Sequence, residues 1–325
     1  MGTVSPELVW RADKTSLLRL IDSGFFGQEQ KRISFYAPSF ANYRTRHFSS
    51  SPNLFPTFSV TGNACALDCK HCCRKVLETM VATDTPSKLF EAARNLNEKG
   101  GVGCLVSGGC LSNGSVPLQN FASTLARIKK ELDLTVMVHT GIIDLNTAKA
   151  LGEAKIDIAL IDIVGSDKTI RQICNADIST EDYEKSLEAL NTAGLDFVPH
   201  VIVGLENGKL GGEFQALKMI SKFRPSAIVI IAFMPIKGTD MAGAPPAEPY
   251  DIARVIATAR LMFPKTRLAL GCMRPKGGNR GPTDIIALKA GINAIAFPSE
   301  EAIKFAEENR YQVSFSPYCC AQIHQ

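Results

Sequence analysis

Three cysteines stand close together in Thr61-Gly62-Asn63-Ala64-Cys65-Ala66-Leu67-Asp68-Cys69-Lys70-His71-Cys72, at a Cys-x3-Cys-x2-Cys spacing. Three thiolates on one short loop can converge on an iron–sulfur cube, each binding one iron. A [4Fe–4S] cluster has four irons, so three protein ligands leave one open to a small molecule, which is what catalysis at a metal centre needs. The alternatives are a zinc knot, with His71 or Cys73 as fourth ligand, or three unrelated thiols.

Such a loop needs a rigid frame. Short, nearly continuous apolar runs recur at Thr57–Thr61, Gly101–Ser107, Leu134–Thr140, Ile156–Ile163, Phe197–Val203, Ala227–Met234, Leu268–Cys272 and Ala294–Phe297, as expected of strands buried on both faces. Amphipathic stretches alternate with them: Lys88–Leu96, Leu118–Leu132, Glu181–Thr192, Glu213–Phe223 and Tyr250–Met262. The alternation predicts an α/β fold of parallel βα units, and eight strands predict a (β/α)8 TIM-type barrel; a doubly wound open sheet is the alternative. The triad then follows the first barrel strand. Residues 1–52, with a helix-like Lys14–Ser23, an aromatic Ile33–Pro38 and a Ser-Pro linker at Ser49–Pro52, read as an N-terminal cap. Residues 53–315 read as the barrel and residues 316–325 as a C-terminal tail with vicinal cysteines.

Of the ten cysteines, Cys73, Cys104, Cys110, Cys174, Cys272, Cys319 and Cys320 lie outside the triad. A second cluster needs about four ligands. The tail carrying Cys319 and Cys320 can fold over the barrel mouth, Cys272 ends a strand there, and Cys104 can point inward. These four are the candidate ligands, with a buried apolar thiol as the alternative for Cys104 and the expected state of Cys174. Cys73 is expected to point away from the triad; Cys110 is either a neighbour of that site or a ligand. His139 and His200 fall near the C-terminal strand ends, the catalytic rim of a barrel, and satisfied core histidines are the alternative. Asp162, in an apolar strand, needs a partner if ionised. Lys209, Lys237 and Arg274 are candidate anion contacts or solvated rim charges. Gly277–Gly281 lacks the ending of a phosphate loop.

Apolar residues make up 45% of the 325 and charged residues 21%, as in a globule with a sizeable core, and the net charge of +4 is too small to imply nucleic acid or an acidic membrane as partner. No apolar run approaches the roughly 18 residues of a membrane span, and residues 1–7 carry no signal-peptide pattern, so reduced thiols in the cytoplasm are expected.

The triad after the first strand resembles the radical S-adenosylmethionine (SAM) superfamily. That resemblance implies a SAM-binding [4Fe–4S] cluster on Cys65, Cys69 and Cys72, and reductive cleavage of SAM to a 5′-deoxyadenosyl radical. Ser107-Gly108-Gly109 stands where the family places a Gly-Gly-Glu turn against the SAM amino group, with Cys110 in place of Glu. Val201-Ile202-Val203-Gly204-Leu205-Glu206 resembles the segment beside adenine, which implies cofactor contacts from Ile202 and Gly204. His71 replaces a common aromatic residue, and it, His139 and Asp162 are the further cofactor contacts expected.

The branch resembled is that of biotin synthase, yet Met137-Val138 and Val198-Pro199 lack the cysteines of its sulfur-donating cluster, and Cys272 falls about where its arginine stands. Phe35–Phe40, Phe55–Gly62, Gly103–Gly109, Val138–Gly141 and Gly271–Pro275 are similar instead to homologues that include subunits of the two-component, archaeal-type lipoyl synthase, over roughly residues 33–320. This implies a sulfurtransferase of lipoate biosynthesis, inserting sulfur from a second, auxiliary iron–sulfur cluster into an octanoyl chain. Its partners would be an octanoylated lipoyl-carrier protein or domain, a second radical SAM subunit and a reductant such as ferredoxin. A mutase or cofactor-maturation enzyme without sulfur insertion, and a non-catalytic electron carrier or scaffold, are the other outcomes open at this point.

Overall fold

A computed structural model describes residues 4–27, 31–38, 43–50 and 54–324. The Ser-Pro linker and the cap–barrel boundary at 52/53 lie partly outside these residues, as do Ser39 and Phe40. Eleven strands form one parallel sheet: β1 (Arg32–Tyr36), β2 (Thr57–Ser59), β3 (Val81–Ala82), β4 (Gly103–Ser107), β5 (Thr135–His139), β6 (Ile158–Ile163), β7 (Phe197–Val203), β8 (Ala227–Ala232), β9 (Arg267–Leu270), β10 (Ala294–Ala296) and β11 (Gln312–Ser316). Their spatial order is β11-β1-β10-β9-β8-β7-β6-β5-β4-β2-β3.

All eight apolar runs are strands, and helices return the chain between them. Pro86–Glu98 starts at a Thr85 cap with Pro in its first turn, and Thr180–Thr192 starts at a Ser179–Asp182 capping box. Among the described residues the ladder has two ends, at β11 and β3, so the closed eight-stranded barrel expected is replaced by an open, eleven-stranded one. The sheet nevertheless curls. Strands β11 and β2 are nine ladder steps apart, about 43 Å if flat. Yet the rings of Phe55, just before β2, and Tyr318, just after β11, lie 6.2 Å apart.

Two apolar cores result. The outer one, between sheet and helices, takes Val106, Val136, Ile161, Val201 and Ile230; the inner one takes Met137, Ile158, Leu160, Val198 and Val229. The aromatic run assigned to the cap is β1, seated between β10 and β11. Its Ile33 and Phe35 are buried in the outer core, and helix Lys14–Asp22 buries Leu17 and Ile21 there too.

The tail does not lie over the mouth. It turns into the barrel, and a short 3-10 helix, Cys320–His324, begins inside. The reason is steric: β8–β10 present Ala227, Ala269, Ala294 and Ala296 inward, and such small residues leave space that Cys319, Cys320, Ala321 and Ile323 fill. The Arg267 guanidinium, at the start of β9, donates to the Ile323 carbonyl at 2.7 Å.

Candidate metal and radical site

The triad loop follows β2 and is held from two sides. From β4, the Gly109 N–H donates to Thr61 Oγ1 at 2.7 Å and the Cys110 N–H to Cys65 Sγ at 3.3 Å, while the Ala66 N–H donates to the Cys110 carbonyl at 2.7 Å. From the segment after β6, the Ile173 carbonyl accepts the Lys70 N–H at 2.9 Å, the Cys174 carbonyl accepts from Cys69 Sγ at 3.0 Å, and Asn175 Nδ2 donates to the Leu67 carbonyl at 2.9 Å. Glu206, just beyond β7, anchors that second segment by accepting from Thr169, Ser166 and Lys168. Asp68, Cys73 and Arg74 adopt left-handed backbone, at φ 47, 43 and 63°. Such positions cost about 1 kcal/mol or more each and persist only where the surroundings over-determine them; the clamps and an Asp68–Arg74 ion pair at 3.1 Å do so here.

All three triad sulfurs are free thiols. A tetrahedral zinc would draw its sulfurs to within about 3.8 Å of one another. Among the described residues, the His/Cys/Asp/Glu trio whose donor atoms all lie within 4.8 Å is His139, Asp162 and His200, not the triad. The more widely spaced thiols suit a cube, in which each binds a different iron. Hydrogen bonding with Cys110 outweighs burial and pulls the Cys65 thiol down to about 5, so it is a thiolate, the ligand form, at neutral pH. Burial pushes Cys72 up, and hydrogen bonding with Cys174 and burial push Cys69 up.

The glycines explain the turn at the end of β4. A methyl on Gly109 would stand 2.0 Å from the Ala64 carbonyl oxygen and 2.6 Å from Cys65 Cβ, so only glycine lets β4 approach the loop this closely. Ser107 Oγ donates to the His139 carbonyl at 3.2 Å, and Gly108 packs against Thr61. Gly204 has φ 78°, gives its N–H to Glu213 and faces Ala247. Ile202 is half-buried near the end of β7 and packs against the outer core.

Below the loop, His139, Asp162 and His200 come together inside the barrel. The Asp162 charge reaches His71, whose buried Nδ1 has no partner. For Asp162, burial opposes ionisation but the neighbouring imidazoles, His139 first, outweigh it and hold the carboxyl at about 2. Burial drives His200 down to about 4, against the pull of Asp162. Burial also works against protonation of His139, but the Asp162 charge and hydrogen bond outweigh it and raise its pKa.

Cys272, Cys319 and Cys320 face the same interior. Burial and the Cys319 charge push Cys272 to about 11, while a hydrogen bond from Cys320 lowers Cys319, which also feels His139. Cys104 is a correction: it lies on the outer face of β4, fully buried between sheet and helices, and cannot reach these thiols. Cys174 is buried, as expected, and Cys73 accepts from the Asp240 N–H outside the triad. Cys110 is the direct neighbour of Cys65. Arg274 is no anion contact. It is fully buried, bonded to Asp284 at 2.8 and 3.1 Å and to the Gly271 and Ala296 carbonyls.

The chain thus combines an α/β barrel with a cysteine-rich loop after an early strand, and known proteins share this combination in part. Residues 59–208 match the Radical SAM superfamily, and residues 230–314 the Biotin and Thiamin Synthesis associated domain. Over these stretches the chain is similar to the radical SAM superfamily and to biotin synthases. It is 24% identical to the biotin synthase of Leptospira interrogans, serovar copenhageni, over 71% of this chain and 66% of that one. Against the biotin synthase of Zymomonas mobilis it is 29% identical, over 55% and 53%. The chain thus spans less than two thirds of either relative. In fold it is similar to HydG, a maturase of the [FeFe]-hydrogenase, with a TM-score of 0.66 and 15% identity, over 99% of this chain and 74% of that one. The family implies a [4Fe–4S] cluster and SAM, and biotin-synthase-like proteins carry a second cluster. No helix among the described residues is long and apolar enough to cross a membrane.

Proposed function

We propose that this chain is a sulfur-insertion enzyme and one subunit of a lipoyl synthase, acting on an octanoyl chain carried by a small protein domain. The observation that carries sulfur insertion is a second set of thiols, Cys272, Cys319 and Cys320, facing the barrel interior beside His139, whose neighbour Asp162 reaches His71 of the triad loop. When bound, a cluster on Cys65, Cys69 and Cys72 with SAM would supply a hydrogen-abstracting radical, and a second cluster on the inner thiols would supply sulfur.

The chain's own residues prepare this. Gly108 and Gly109 bring backbone close to the triad; His71, Ser107, Ile202 and Gly204 remain its expected cofactor neighbours. Tyr36, Phe55, Met137, Leu160 and Val198 form an apolar interior that keeps water from a reactive carbon centre. Met137 and Val198 offer no thiolate in stretches where biotin synthase has cysteines, which supports a substrate other than the biotin precursor. The lipoyl assignment itself is supported by the sequence stretches similar to that group.

The test is anaerobic reconstitution with an octanoylated carrier peptide, with and without a candidate partner subunit and with ferredoxin as reductant, followed by mass analysis. A mass gain corresponding to sulfur, with about eight irons per chain, supports the reading. 5′-Deoxyadenosine formed with about four irons and no sulfur in the peptide refutes it.

A further inference from the structure

We infer that His139, Asp162 and His200 form a binding site for one divalent transition-metal ion, distinct from both thiol sets. The three residues stand on adjacent strands. Asp162 of β6 lies directly opposite His200 of β7, and His139 of β5 pairs with Leu160, two residues before Asp162. Side chains alternate across a strand. Because Met137, Leu160 and Val198 belong to the inner core, the residues two positions on, His139, Asp162 and His200, also point inward.

Their donor atoms all lie within 4.8 Å of one another. His139 Nε2 and Asp162 Oδ1 are 3.4 Å apart. That is long for a charge-assisted hydrogen bond, which closes to about 2.7–2.9 Å. It equals the spacing a shared ion would set, since two donors about 2.1 Å from a tetrahedral centre sit about 3.4 Å apart. His200 Nδ1 is buried and has no hydrogen-bond partner. An orphaned ring nitrogen in a protein interior calls for an explanation, and coordination of a metal ion through this nitrogen supplies one.

Two imidazoles and a carboxylate select a borderline ion such as Zn²⁺ or Fe²⁺ over Mg²⁺ and Ca²⁺, which prefer oxygen donors. Three protein donors leave a fourth position for an oxygen or sulfur atom of a substrate. The site is independent of the sulfur-insertion reading, because its test uses no substrate.

The full-length chain with its clusters reconstituted is stripped of loose metal with a chelator, given one equivalent of zinc sulfate and desalted under anaerobic conditions. About one zinc per chain, with iron content unchanged and a zinc-edge X-ray absorption shell of nitrogen and oxygen only, is expected. His200→Gln and Asp162→Asn should each weaken zinc retention at least tenfold while keeping the iron content and far-UV circular dichroism of the parent. No retained zinc, a sulfur shell around it, or equal retention in both variants would overturn the site. So would zinc loss accompanied by loss of iron or fold, since that traces to general structure.

Discussion

Gly109→Ala is the smallest change that separates a packed triad loop from a loosely tethered one. Gly109 is not in the left-handed region, so alanine meets no backbone penalty there and its methyl group is the whole perturbation. That methyl would sit 2.0 Å from the Ala64 carbonyl oxygen, and ordinary contact begins at 3.4 Å, so the Ala64–Cys65 backbone has to retreat by about 1.4 Å. Overpacking of this kind costs about 1–3 kcal/mol of stability. A reacting group misplaced by about 1 Å costs about 100-fold in rate, equivalent to about 2.7 kcal/mol of barrier. SAM cleavage, read as 5′-deoxyadenosine per minute and normalised to iron content, should therefore fall at least about 100-fold. Gly243→Ala is the control, since a methyl there meets nothing within 4 Å. Cleavage by Gly109→Ala within threefold of the parent, at full iron content, would show that β4 does not fix Cys65.

Replacing Cys319 and Cys320 together by alanine should spare SAM cleavage and stop sulfur transfer to the carrier, whereas Cys104→Ala should leave both intact; iron analysis and product mass read the difference. Arg274→Met leaves Asp284 buried with only Arg280, at 3.9 Å, as a remaining counter-charge. Breaking such a pair costs about 3 kcal/mol. With an unfolding entropy of about 0.7 kcal/mol/K for a chain of this length, the melting temperature should drop by about 4 °C, and a change below 1 °C would contradict the assignment. His200, held at about 4 in the folded chain, binds its proton only after unfolding between there and its ordinary 6.5. Stability of the metal-free chain should then fall as pH drops through that window, by about 3 kcal/mol in urea titrations, and His200→Gln should flatten the slope.

The triad and the eight apolar strands were legible because each rests on a local pattern, thiol spacing in one case and continuous burial in the other. That same burial hid which way side chains point. In β4, Cys104, Leu105 and Val106 are all apolar, so nothing in Gly103–Ser107 distinguishes the inner face from the outer. Strands β1 and β11 pair over a separation of some 280 residues, and β11 alternates between exposed and half-buried positions, so neither carries the continuous apolar signature of the central strands. The buried tail was illegible from its own residues, since what draws it inward is the row of alanines on β8–β10. His139, Asp162 and His200 were each conspicuous singly. Their meeting depends on register between three strands, although the shared spacing Met137-x-His139, Leu160-x-Asp162 and Val198-x-His200 was there to be aligned.

The place of Arg32–Tyr36 in the sheet has a bearing on how the polypeptide is made. This apolar segment is translated well before either of its neighbours, Ala294–Ala296 and Gln312–Ser316. At about 5–20 residues per second, the 280 positions between Arg32 and Gln312 take about 15–60 s to translate. During that interval an unpaired strand is exposed to solvent and to other nascent chains. The loop from Cys65 to Cys72, by contrast, finds its clamps at Cys110 and Cys174 far sooner, so that loop can take up its folded shape while the rest of the barrel is still being synthesised.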